Sequence, residues 1–246
     1  MKNIKLILEY DGTRYQGWQV QRGCASKTLQ ETIEQALQKV LQEKIRLVAS
    51  GRTDAGAHAL GQVAHFHTKS DISLDKLHRA LNSLLPGDIS ILRVEECDRR
   101  FHSRFDAKSK VYRYTILNRK SRSVLLRDTT YFFPNHLNLK RMRKEAAWLL
   151  GRHDFKSFQA TDKKERGSVR TIKQIKIIKR GPLIQVDIEA NGFLTHMARN
   201  IIGTLIEIGR GRFPVGCMRK ILLSKDRKQA GCCVPAKGLC LLEVKY

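Results

Sequence analysis

Ser50-Gly51-Arg52-Thr53-Asp54-Ala55-Gly56-Ala57-His58-Ala59-Leu60-Gly61-Gln62-Val63 is the stretch from which the organisation of this chain reads outward. It joins two strand-like runs, Ile45 to about Ala49 ahead of it and Gly61 to Thr68 behind. Between them a single carboxylate, Asp54, follows Arg52 by two residues and is flanked by Gly51 and Gly56. A loop Asp beside Gly is ordinarily a turn former. A guanidinium within reach changes that reading, because it lowers a carboxylate's pKa and keeps it ionised at neutral pH as a nucleophile or base. The glycines permit a tight turn and the close approach of a bulky substrate.

Upstream, Ile4, Leu6 and Leu8 alternate with Lys5, Ile7 and Glu9, a strand ending at the Asp11-Gly12 turn. Thr28 and Glu31 form a capping box ahead of Leu29, Ile33, Leu37, Val40 and Leu41, which share a helical face. Downstream, a helix starting at Ser73 carries Leu74, Leu77, Leu81, Leu84 and Leu85, is stopped by Pro86-Gly87-Asp88, and hands over to a strand from Ile89 to Val94. The rhythm then repeats. A strand spans 111–117, a helix about 139–150 with Gly151 as its stop, and strands 171–178 and 183–190 flank Arg180-Gly181-Pro182. An apolar helix from Phe193 to about Ile208, a shorter one near Met218 to Leu223 and a closing strand from Leu239 to Val244 complete it. Strands and helices mix without strict βαβ alternation, so the expected class is α+β, in two related halves, 1–105 and 106–246.

With 246 residues and 41% hydrophobic content the chain can bury a core. Its 47 Lys+Arg against 23 Asp+Glu give a net charge of +24, which favours a polyanionic partner, nucleic acid before an anionic membrane surface. The cations spread as Arg99-Arg100, Lys108-Lys110, Arg119-Lys120, Lys140-Arg141-Arg143-Lys144, Lys163-Lys164 and Lys179-Arg180, which suits a long backbone-tracking surface better than one small anion pocket. No run is long enough to cross a bilayer, and the polar start Met1-Lys2-Asn3-Ile4-Lys5 is no signal peptide. The six cysteines show no metal-type spacing, and adjacent Cys232 and Cys233 are poorly placed for an ordinary disulfide. Reduced thiols in the cytoplasm are expected, with Cys97 and Cys240 as small core residues.

Three further groups invite a chemical reading. Arg199 lies within the apolar 193–208 segment, where an unpaired charge is costly, so it should face an acid: Asp54, or structurally Asp187, Glu189 or Glu207. Tyr112 and Tyr114 share one strand face amid Lys108, Lys110 and Arg113, as suits stacking on an unpaired base, though spacing alone does not separate a stacking ring from a core ring. His65 and His67 alternate onto one face with His58 upstream; with no acid or cysteine to complete a site, edge or RNA-facing histidines are expected, and no metal. No phosphate-binding glycine loop is present, so no nucleotide cofactor is expected.

Together these residues resemble the tRNA pseudouridine synthase A family almost end to end: Glu9 to Gln21, Gly51 to Phe66, Val111 to Asn118, Asn191 to Gly211, and Gly238-Leu239-Cys240-Leu241. The resemblance implies a pseudouridine synthase fold, with two RNA-recognition-like halves whose antiparallel sheets are covered by helices around a basic cleft. It implies a homodimer that grips the anticodon stem-loop of tRNA and isomerises uridines 38–40 without cofactor or metal. On the same resemblance Asp54 is the essential carboxylate, Arg52 helps eject and replace the base, Arg199 holds Asp54, and Tyr112 packs on the target base, with His58 and Leu239 as further substrate-binding positions. Ala57 and Ala198 stand where such proteins commonly carry valine, and Ala230 to Ala236 replaces a proline-richer run. Two other readings are a non-catalytic RNA-binding protein and a uridine methylase; the latter needs a methyl-donor pocket or catalytic cysteine, and neither stands out.

Overall fold

The computed structural model describes residues 1–20, 27–160 and 167–246; Gln21, Cys24 and the Lys163-Lys164 pair lie outside the described residues. The chain is mixed α+β and divides into two compact units, Met1–Lys108 with Cys240–Tyr246, and Ser109–Leu239.

In the first unit, β1 (Lys2–Tyr10) buries Ile4, Leu6, Leu8 and Tyr10, as its alternation requires. Helix α1 (Leu29–Leu41) follows, capped at Thr28, whose hydroxyl accepts the Glu31 N–H at 3.4 Å. Leu29, Ile33, Leu37 and Leu41 form its buried stripe. Only Val48–Ala49 pairs as a strand, β2, although the sequence suggests Ile45–Ala49. The reason lies on α1: Glu34 accepts the Leu47 N–H at 2.8 Å and Gln30 donates to its carbonyl at 3.2 Å, so side chains replace a ladder. Strand β3 (His58–Thr68) runs antiparallel to β1, with Leu6 opposite Ala64. Helix α2 (Leu74–Leu84) buries Leu77 and Leu81 but leaves Leu84 at the surface, a narrower apolar face than expected. Strand β4 (Ile89–Cys97) pairs with the other edge of β1, Leu6 opposite Val94.

In the second unit, β5 (Ser109–Leu117) is joined in parallel by β6 (Tyr131–Phe132). Helix α3 (Leu139–Ala146) ends earlier than expected, its last turn tightening to a 3₁₀ turn through Leu149. Gly151 does not stop it; at φ +94° it opens β7 (Gly151–Asp154). Strands β8 (Val169–Arg180) and β9 (Leu183–Ala190) complete the antiparallel order β5-β9-β8-β7. Helix α4 (Met197–Gly209) begins four residues later than the apolar run suggests, because His196 sits at φ +60°, outside the right-handed helix. Helix α5 (Cys217–Ser224) follows, then β10 (Leu239–Lys245), whose Cys240 and Leu241 pair in parallel with His58 and Ala59 of β3. Most strand pairs described are antiparallel, whereas β5–β6 and β3–β10 are parallel. Cys97 and Cys240 are half-buried rather than enclosed core residues. No helix among the described residues is long and apolar enough to cross a membrane.

His65 is a core residue and not an edge or RNA-facing one, while His67 is exposed. Its Nδ1 accepts the Ser103 backbone N–H at 3.2 Å, which requires the neutral ring. Burial, with His102 and His67 beside it, pushes its pKa down to about 4. The folded chain therefore leaves this ring neutral while the unfolded chain protonates it below about 6.5. Stability from His65 is complete above that pH and lost as the pH falls towards 4, on the order of 2 kcal/mol. His65→Asn keeps an acceptor near Nδ1 without a titrating group. Its urea midpoint should fall less steeply than wild type between neutral pH and pH 4.5; parallel curves would remove His65 as the source.

Candidate active-site loop

The Asp54 loop spans the gap between β2 and β3, and its backbone is held from both sides. Gln62 is the inner clamp. Fully buried on β3, it accepts from the Ser50 hydroxyl (2.8 Å) and the Val63 N–H (3.1 Å) through Oε1, and donates Nε2 to the Gly51 carbonyl at 3.0 Å. On the other side, the Tyr10 hydroxyl meets Thr53 Oγ1 at 2.8 Å, and Trp18 N–H donates to the Thr53 carbonyl at 3.1 Å. Beyond Asp54, Gly56 N–H reaches the Tyr15 carbonyl at 3.3 Å and Ala57 N–H closes a turn onto the Asp54 carbonyl at 3.1 Å, with Gly56 at φ +77° inside it.

Two glycines in the Asp11-to-Trp18 segment explain how it approaches so closely. A Cβ on Gly12 would lie 1.9 Å from the Ala57 carbonyl oxygen. One on Gly17, at φ +84°, would lie 2.7 Å from the Thr53 carbonyl oxygen. Burial drives the Tyr10 phenol well above its ordinary pKa, so it stays a neutral hydrogen-bonding group in this clamp. The result is a pinned backbone that leaves the Asp54 side chain half-buried.

Arg52 does not stand against Asp54 as its spacing suggests. Its side chain is exposed and donates Nε to Gln19 Oε1 at 3.0 Å, while Gln19 bonds Gln30 of α1 at 2.6 Å; among the described residues Arg52 forms no ion pair. His58 is buried and turned onto the Asp11-Gly12 turn. Its Nδ1 lies 3.1 Å from Asp11 Oδ1 and 3.2 Å from the Gly12 N. Burial works against the Asp11 carboxylate, but the Thr13 hydroxyl and N–H together with His58 hold its pKa below the ordinary value. His58 thus braces the loop's partner segment.

In the second unit, Tyr112 and Tyr114 are both buried on β5. Tyr114 is the core ring, its hydroxyl donating to the Pro235 carbonyl at 2.8 Å. Tyr112 lies edge-on to Phe193 at 4.8 Å, a contact made possible because 193–196 is not helical. Leu239 is buried at the start of β10. Because α4 starts at Met197, half-buried Arg199 lies in its first turn, where a cation opposes the helix dipole. Its Nε donates to the Val234 carbonyl at 2.7 Å. Of the structural acids considered for it, Asp187 is taken by a two-pronged pair with Arg113 (2.7 and 2.8 Å), and Glu207 by Arg210 and Arg212. Glu189 accepts from Ser109 at 2.7 Å. Among the described residues no group of three or more His, Cys, Asp or Glu side chains could hold a metal ion.

The sequence reading missed Gln62, Tyr10 and Gly17 as parts of the site. The signal was available in Gly61-Gln62-Val63, where a polar amide stands next to the apolar run Val63-Ala64 and is itself buried on β3.

Comparison with known proteins adds an independent line. A family model described as tRNA pseudouridine synthase matches residues 6–106 and 146–246. The chain is 44% identical over 246 residues to a tRNA pseudouridine synthase A of Acetivibrio thermocellus, covering all of both chains. It is 45% identical to the protein of that description from Citrifermentans bemidjiense, covering 100% of this chain and 98% of that one, and 44% identical over full length to tRNA pseudouridine synthase A 2 of Clostridium perfringens.

Proposed function

This chain belongs to the tRNA pseudouridine synthase family, and from that premise we propose that it isomerises uridine to pseudouridine in the anticodon stem-loop of tRNA, at positions 38–40. The full-length match carries this reading, and the rigidly held Asp54 loop gives it a chemical centre. The base must leave C1′, rotate and rejoin through C5, so it is first drawn out of the stack into a pocket. Nothing is added or lost, and the reaction needs no cosubstrate. Asp54 is the essential carboxylate; attack at C1′, attack at C6 and removal of a ribose proton are all open to it. Arg199 is its cationic partner and Tyr112 the ring against the target base. Arg52, exposed at the loop, is the arginine that helps eject and replace the base. His58 and Leu239 are further substrate-binding positions. The enzyme works in the cytoplasm as a homodimer.

Tritium release from a tRNA transcript labelled at uridine C5 tests the isomerase reading, because C5 loses its hydrogen only when it becomes the new attachment point. Tight tRNA binding without release would leave an RNA-binding protein. Tyr112→Ala should reduce turnover roughly 100-fold while raising the tRNA dissociation constant only a few-fold, since phosphate contacts dominate affinity. Equal losses in both would remove the base-packing role.

A further inference from the structure

The spread of cations suggests a tracking surface, yet in one place the second unit gathers them around a cavity. Where the end of α4 meets the start of α3, a cavity of about 480 Å³ is lined by Asn135, His136, Asn138 and Arg141 and by the run Gly209 to Arg212. The junction is built closely. Asn138 N–H donates to the Gly209 carbonyl at 2.8 Å, and a Cβ on Gly209 would come within 2.8 Å of Met142 Sδ. Gly211 turns at φ +82°, and the Arg141 guanidinium lies over it, 3.4 Å from where a Cβ would stand.

The charges do not cancel. Glu207 is shared by Arg210 (3.3 Å) and Arg212 (3.7 Å), leaving one carboxylate for two guanidinium groups. Arg141 comes from a different helix and its guanidinium has no protein partner among the described residues. No acid lines the cavity. Capping of the α4 C-terminus accounts for Arg210 and Arg212, but not for Arg141 or for His136 beside it. Three guanidinium groups lining one concave surface, in excess of the single carboxylate that reaches two of them, are the chemistry that recognises phosphate.

We propose that this cavity, built wholly from residues of the second unit, is a phosphodiester anchor for the tRNA backbone; the identity of the polyanion rests on the tRNA reading above. Such an anchor supplies affinity and orientation, not chemistry. The test is a titration of a full-length tRNA transcript across a salt series with wild type, Arg141→Ala/Arg212→Ala and the charge-preserving Arg141→Lys/Arg212→Lys. The alanine pair should weaken binding roughly 10- to 100-fold at moderate salt and make the slope of log Kd against log salt shallower by about two. The lysine pair should restore the slope. Thermal midpoints of all three should agree, because these side chains lie outside the core.

Unchanged affinity and slope in the alanine pair would overturn the proposal. Inorganic phosphate that shifts the His136 ring signals while tRNA binding stays unchanged would also overturn it, leaving a small-anion site. If wild type released no tritium while the alanine pair lost its slope, the anchor would stand and the isomerase reading would fall.

Discussion

Asp54→Ala should release tritium from C5-labelled tRNA at background, a loss of roughly 10⁴-fold or more, as expected when the carboxylate proposed to carry the reaction is removed. The variant should still fold and bind tRNA. The loop is fixed by its backbone, through the Gly51 carbonyl on Gln62, the Thr53 carbonyl on Trp18 and the Asp54 carbonyl on Ala57, and none of these uses the Asp54 side chain. Binding draws on phosphate contacts spread over a chain of net charge +24, which loses no cation in this substitution. Asp54→Asn sharpens the test, since it keeps size and hydrogen bonding and removes only the charge. Release by Asp54→Asn near wild-type rates would exclude a nucleophile or base at this position. Failure of Asp54→Ala to bind tRNA would instead make Asp54 a structural residue.

Much of this arrangement was legible because the local signals agree with the packing. Thr28 caps α1 and its stripe of Leu29, Ile33, Leu37 and Leu41 points inward, as an amphipathic helix demands. The misreadings share a physical cause: apolarity does not report who satisfies the backbone. Ile45 and Leu47 are buried, yet their segment is not a strand because Gln30 and Glu34 of α1 take the Leu47 peptide groups. Phe193 and Leu194 are as apolar as the helix they precede, yet His196 at φ +60° shuts them out of it. In the candidate site, the Asp54 loop is legible from its motif and its catalytic role is the proposal above, whereas the Arg52 contact is not legible. Proximity in sequence places Arg52 near the acid, but rotamer freedom lets it reach Gln19 instead. The clamp built by Gln62 and Tyr10 joins residues from two strands, and no single window of sequence contains it.

Gly203→Ala should cost about 2–3 kcal/mol of stability and lower the thermal midpoint by roughly 5–10 °C, although alanine is the better helix former by about 1 kcal/mol. Packing decides the sign. A Cβ on Gly203 would lie 1.8 Å from the Cys232 carbonyl oxygen and 3.0 Å from its carbon, so backbone rather than a flexible side chain must give way. The facing residue is also glycine: a Cβ on Gly231 would lie 2.8 Å from Thr204 Cα. This is how the Ala230-to-Ala236 segment is held against α4. Three of its ties are the Gly231 N–H to Thr204 Oγ1 (2.9 Å), the Val234 carbonyl to Arg199 Nε (2.7 Å) and the Pro235 carbonyl to the Tyr114 hydroxyl (2.8 Å). Lifting the segment strains all three, and the second orients the cation proposed to serve Asp54. Turnover should therefore fall by more than the loss of folded protein explains, when measured well below the new midpoint, while tRNA affinity changes little. A raised midpoint with full turnover would mean that the segment yields freely and that Arg199 does not depend on the Val234 carbonyl for its position.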